Sequence, residues 1–113
     1  MPHYKLNDDH SVSECSLEEL VEVYNDNDKK RILGKDVVCG VMISTIFLGI
    51  DHNFGDGPPI IFETMVFGGV APNSEQERYS TYDEAMAGHK RYVKKYSGFW
   101  MKIRLYAKVI FNF

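Results

Sequence analysis

The side chains of this chain best suited to chemistry are polar residues set inside apolar strands. Ser44 and Thr45 interrupt one apolar run, and Glu63 and Thr64 interrupt another. A buried carboxylate costs several kcal/mol unless it is paired or hydrogen-bonded. Glu63, flanked by Ile60, Ile61 and Phe62 and by Met65, Val66 and Phe67, therefore has two readings. Either it belongs to a satisfied network, for example with a lysine or arginine of the last strand, or it lines a pocket at the sheet surface. In a pocket, a carboxylate and hydroxyls on rigid strands could read the mixed donor and acceptor edge of a purine.

A second candidate is the loop Asp51-His52-Asn53-Phe54-Gly55-Asp56-Gly57-Pro58-Pro59. Its glycines allow backbone to approach a ligand closely, and its two prolines stiffen the exit. His52, Asn53 and Phe54 offer a donor, an amide and a stacking ring; a well-ordered hairpin tip is the plainer reading. Gly55-x-Gly57 is no dinucleotide fingerprint, because prolines follow it where a helix would have to begin. Asp51, His52, Glu63, His89 and His10 could in principle hold a metal. None of them stands at a ligand spacing, so no metal and no cofactor is expected. His89 falls on the apolar stripe of a helix, where it reads as a satisfied core histidine. A Ser-His-Asp type triad stays open, although no nucleophile-elbow pattern is present. Seven Phe, seven Tyr and one Trp supply rings beside loops, Tyr79 and Phe54 among them.

The elements that must position these residues follow from pattern. Residues 1–15 are polar and read as irregular. Ser16 and Glu19 have capping-box spacing and open a helix with the stripe Leu17, Leu20, Val21 and Tyr24. Gly34-Lys35-Asp36 reads as a turn. Val37 to Ile50 and Ile60 to Phe67 read as strands apolar on both faces, joined as a hairpin with a long tip. Gly68 to Gln76 reads as a loop. Thr81 and Glu84 repeat the capping box and open a second helix, with Tyr82, Ala85, Met86, His89, Tyr92, Val93 and Tyr96 on its buried stripe. Gly88 beside that stripe predicts a close approach of helix to sheet, and Gly98 predicts its end. Met101 to Phe111 alternates like a half-buried strand. The expected fold class is α+β: an antiparallel sheet of about four strands with two helices packed on it, in an oligomer-forming chain.

At 113 residues and 13.0 kDa the chain is expected to be a single domain, 1–113. It is 44% hydrophobic and 26% charged, which argues against bulk disorder. A net charge of −3 argues against a coat for a nucleic-acid polymer, and no run reaches the roughly 20 apolar residues of a membrane helix. The N-terminal stretch lacks a hydrophobic signal region, so a cytoplasmic location is expected, with Cys15 and Cys39 as thiols. Charge is uneven: residues 37–84 hold seven acids and one base, and residues 85–113 hold seven bases and no acid. That asymmetry fits either mutual pairing of the two surfaces or a local site for an anionic ligand.

The string Ser44-Thr45-Ile46-Phe47-Leu48-Gly49-Ile50-Asp51-His52-Asn53-Phe54-Gly55-Asp56-Gly57-Pro58-Pro59, continued by Phe62-Glu63-Thr64-Met65-Val66-Phe67-Gly68-Gly69, resembles a small protein family of tailed bacteriophages, the anti-CBASS sponges. The likeness covers about residues 36–96 and includes Glu77-Arg78-Tyr79-Ser80-Thr81 and Ala87-Gly88-His89. It implies a protein of the host cytoplasm that sequesters a cyclic dinucleotide signal of bacterial immunity, 3′3′-cyclic GMP-AMP foremost, without cleaving it. It also implies a homotetramer. On that reading Phe54 and Tyr79 stack on the bases, and Thr45, Asn53, Glu63 and Thr64 contact base edges, with His52 beside them. Arg78 and Arg104 meet the phosphates. Two rivals remain: a protein that inhibits a host defence protein by direct binding, and a cyclic nucleotide phosphodiesterase.

Overall fold

The computed structural model describes residues 2–26, 31–53, 55–68 and 75–111, the side chains at 23, 24, 26 and 99–111 excepted. The chain runs β1 (His3–Leu6), β2 (Val12–Cys15), α1 (Leu17–Asp26), β3 (Ile32–Val38), β4 (Val41–Phe47), β5 (Phe62–Phe67), β6 (Gln76–Tyr79) and α2 (Tyr82–Phe111). It is an α+β fold with two antiparallel sheets: a β1–β2 ribbon and a four-stranded sheet in the order β3-β4-β5-β6.

The N-terminal ribbon replaces the irregular segment expected at residues 1–15. Tyr4, Leu6 and Val12 alternate with polar residues, and all three pack on the cluster of Phe47, Ile61, Phe62, Tyr79 and Ala85. The turn between the strands is held by Asn7 N–H to Ser11 O at 2.8 Å and His10 N–H to Asn7 O at 2.9 Å. The capping box at α1 forms, with Glu19 N–H donating to Ser16 Oγ at 3.2 Å. Leu20 is buried in this helix, but Leu17 and Val21 remain exposed. The main packing of α1 is against β1, whereas α2 lies across all four strands of the larger sheet.

Gly34-Lys35-Asp36 is strand, not turn. The reversal comes at Cys39-Gly40, with φ of 52° and 84°. Two successive residues with positive φ make the tight hairpin connection whose twist matches its strands. Its ordinary signature is Asn-Gly or Asp-Gly, so a cysteine in the first place hides it from the sequence. The long apolar run is consequently divided between the end of β3 and all of β4. The expected hairpin from β4 to β5 is present, with Met42 opposite Phe67 and Phe47 opposite Phe62. β6 was not anticipated; it adds to β5 with Phe62 opposite Tyr79.

The largest correction is at the C-terminus. Met101 to Phe111 is not a strand, and Gly98 does not end a helix: α2 continues from Tyr82 to Phe111. A single interior glycine costs a helix about 1 kcal/mol, and no proline follows to enforce a stop. The four-stranded sheet is therefore completed by β3 and β6, one at each edge. Among the described residues no helix is long and apolar enough to cross a membrane.

α2 sits where its sequence places it. Thr81 Oγ1 caps Glu84 N–H at 3.1 Å and binds Glu84 Oε1 at 2.9 Å. Ala85, His89 and Tyr96 are buried on the sheet-facing side. A Cβ at Gly88 would overlap the Tyr79 phenol, so the close approach predicted at this glycine is present.

Candidate functional site

The inner face of the sheet, under α2, carries a continuous line of polar groups. Thr45 on β4 stands directly opposite Thr64 on β5. Both are fully buried, and their hydroxyls lie 2.6 Å apart. The Tyr79 hydroxyl, from β6, donates to Thr64 Oγ1 at 3.1 Å. On the other side Thr45 Oγ1 meets His89 Nδ1 of α2 at 2.7 Å. His89 Nε2 meets Asp36 Oδ2, on edge strand β3, at 2.6 Å. Five side chains thus link β6 to β3 through the core.

The direction of this line follows from its ends. A carboxylate only accepts, so His89 Nε2 carries the proton shared with Asp36. In neutral imidazole Nδ1 then accepts from Thr45, Thr45 accepts from Thr64, and Thr64 accepts from Tyr79. Every donor and acceptor is satisfied in that one sense. Burial raises the Tyr79 pKa above its ordinary value, which keeps the first donor protonated.

Thr45, His89 and Asp36 have the order hydroxyl, imidazole, carboxylate found in nucleophilic triads. The hydroxyl has no accessible surface and already contacts Thr64, so no substrate can reach it. Thr64 is equally buried and Tyr79 nearly so, and the hydroxyls of all three are spent on one another and on His89. Their polarity completes a core; it does not display an edge.

Glu63 and Arg78 lie one rung away on the opposite face. Arg78 Nε donates to Glu63 Oε2 at 2.8 Å, with 8% of the Glu63 side chain and 40% of the Arg78 side chain exposed. The satisfied-network reading of Glu63 is the one observed, with its partner on β6 instead of a C-terminal strand. In the loop, Asp51 Oδ1 accepts from Asn53 N–H at 2.7 Å and from Ile60 N–H at 2.8 Å. Asn53 spends its amide internally: Nδ2 donates to Pro58 O at 3.0 Å, and Oδ1 accepts from Gly55 N–H at 3.0 Å. His52 N–H donates to Ile60 O at 2.9 Å. Phe54 and the Arg104 side chain lie outside the described residues. The described ones among the anticipated site residues therefore fall into three groups, on the inner face, the outer face and the loop.

A site missed by the sequence reading opens at the β3 end of the polar line. Between β3 and α2 runs a groove of about 460 Å³. Leu33, Met86 and Val93 supply apolar wall, and Asp36 and His89 supply its polar centre. Lys90 and Lys94, one helical turn apart, complete the lining. Neither lysine has an ion pair among the described residues, whereas Arg91 pairs with Glu77 at 2.6 Å and Lys95 with Glu75 at 2.7 Å. The uneven charge of the sequence is thus partly consumed within the chain and partly left at this groove. Gly34 is needed here, because a Cβ would come within 3.0 Å of His89 Nε2. The signal in the sequence is His89 itself: a histidine on a buried stripe demands polar partners, and Asp36 supplies one from strand β3, not from a turn.

A second groove, of about 410 Å³, lies between the β1–β2 turn and the start of α2. His10 stacks on Tyr82 there, with ring centroids 3.8 Å apart. Among the described residues no three His, Cys, Asp or Glu side chains are gathered to hold a metal. Cys15 and Cys39 are both free. Compared with models of protein families, with curated proteins and with solved structures, the chain matches none.

Proposed function

We propose that this protein is a binding protein that sequesters a cyclic dinucleotide, 3′3′-cyclic GMP-AMP foremost, and so serves phage evasion of CBASS-type defence in the host cytoplasm. The ligand chemistry comes from the resemblance of residues 36–96 to the sponge family. The observation that carries the reading is the β3–α2 groove, where apolar walls meet one carboxylate and two lysines that have no ion pair among the described residues. A cyclic dinucleotide needs those three elements: faces for its bases, acceptors for their edges and cations for two phosphates. Burial of Thr45 supports binding without cleavage, since the one hydroxyl beside the histidine is sealed from a phosphodiester. This placement moves the contacts away from Thr45, Thr64 and Tyr79 and onto Asp36, Lys90 and Lys94.

The homotetramer implied by the resemblance belongs to the same proposal. Supporting it, Val37 is 70% exposed and Phe67 is 42% exposed. The same surface favours the second reading, direct binding to a host defence protein. A thermal-shift panel of cyclic di- and trinucleotides separates the two. Ligand at 100 times its Kd should add about 2.7 kcal/mol of stability, and heat-denaturing the mixture should return intact nucleotide. Cleaved products, or no response to any cyclic nucleotide at micromolar concentration, would overturn the proposal.

A further inference from the structure

The groove's carboxylate is oriented before a ligand arrives. Asp36 stands on the edge strand with 54% of its side chain exposed, and its Oδ2 is fixed at 2.6 Å from His89 Nε2. His89 cannot swing away, because it is 4% exposed and held from the far side by Thr45 at 2.7 Å. Asp36 Oδ1 has no hydrogen bond among the described residues. The groove therefore presents a rigid acceptor with no donor of its own at that point, next to two cations on α2.

From this we infer that Asp36 is the specificity-determining residue of the groove and selects guanine over adenine. The inference rests on the cyclic dinucleotide reading above and deepens it. Guanine offers two adjacent donors, N1–H and the N2 amino group; Asp36 Oδ1 accepts one, and the lone pair of Oδ2 that is not engaged by His89 Nε2–H accepts the other. Adenine offers an acceptor at N1 beside a single amino donor, so one carboxylate oxygen would face a lone pair. A site that is built to accept and meets a lone pair leaves a polar group unpaired, which discriminates more strongly than shape. The polar line behind His89 contributes by holding the imidazole in the form whose Nε2–H points at Asp36. Lys90 and Lys94 meet phosphates and are indifferent to the base.

The test is calorimetric titration of the full chain with cyclic di-GMP, 3′3′-cyclic GMP-AMP and cyclic di-AMP. The two guanine-containing ligands should bind at least tenfold tighter than cyclic di-AMP. Asp36→Asn, checked for its fold by circular dichroism, should reduce that preference to less than threefold. Lys90→Ala combined with Lys94→Ala should weaken all three ligands while preserving their ratio. Equal binding of all three by the native chain, or an unchanged ratio in Asp36→Asn, overturns the inference and leaves sequestration standing. Absence of binding to every one of them overturns both.

Discussion

Two neighbouring rungs of the β4–β5 ladder handle polarity in opposite ways. On the inner rung Thr45 faces Thr64 beneath α2, and neutral hydroxyls carry hydrogen bonds from a tyrosine to a histidine. On the outer rung Ile46 faces Glu63, and the charge is met by an arginine that keeps two-fifths of its surface in water. Neutral groups can be sealed once every partner is present, whereas an ion pair is cheaper where one partner stays hydrated. The sheet is thus polar on both sides of one position, yet only the inner side is closed.

Breaking the inner side should have the larger effects. Gly88→Ala drives a methyl group into the Tyr79 phenol and should cost about 3 kcal/mol in urea denaturation, through displaced packing and a lost hydrogen bond. Thr64→Val leaves the Tyr79 hydroxyl and Thr45 short of a partner and should cost about 2 kcal/mol by the same measurement. On the outer side, Arg78→Ala should cost about 1.5 kcal/mol, less than a fully buried pair would, since solvent screens the exposed guanidinium. Replacing Glu63 and Arg78 together by leucine should recover most of that loss. If Arg78→Ala costs more than Thr64→Val, the contrast between the faces is wrong.

The smallest effects are those of pH near the middle of α2. Burial and then the hydrogen bond to Glu75 push the Tyr96 phenol up to about 12. Its contribution to stability should be complete below its ordinary value of 10 and lost as pH rises toward 12. Burial works against the Glu75 carboxylate, but Lys95 and Tyr96 outweigh it and hold the pKa below the ordinary 4.5. Stability from Glu75 should be present above that value and lost as pH falls through the lowered one. Thermal midpoints recorded across acid and alkaline series, with Glu75→Gln as reference, check both signs.

How far the fold was legible varied with the kind of signal. Capping boxes at Ser16 and Thr81, the stripe of α2 and the two apolar strands were readable because each depends on residues close in sequence. The register that sets Thr45 against Thr64, and the contact of His89 with Asp36, depend on residues 19 and 53 positions apart. Cys39 concealed a turn that its neighbour Gly40 alone did not announce. In the C-terminal segment alternation and helical spacing both fit the residues, and the absence of a strong breaker decided for helix. The groove is not legible in the sequence because Gly34-Lys35-Asp36 carries turn chemistry, and only the pairing of β3 with β4 brings Asp36 beneath His89.

One carboxylate oxygen of Asp51 fastens both ends of the segment between Asn53 and Ile60. That oxygen is one rivet of a clasp completed by His52 N–H to Ile60 O and Asn53 Nδ2 to Pro58 O. Removing it with Asp51→Ala would loosen entry and exit together, making the hairpin tip easier for proteases to cut while the strands beneath it stay paired.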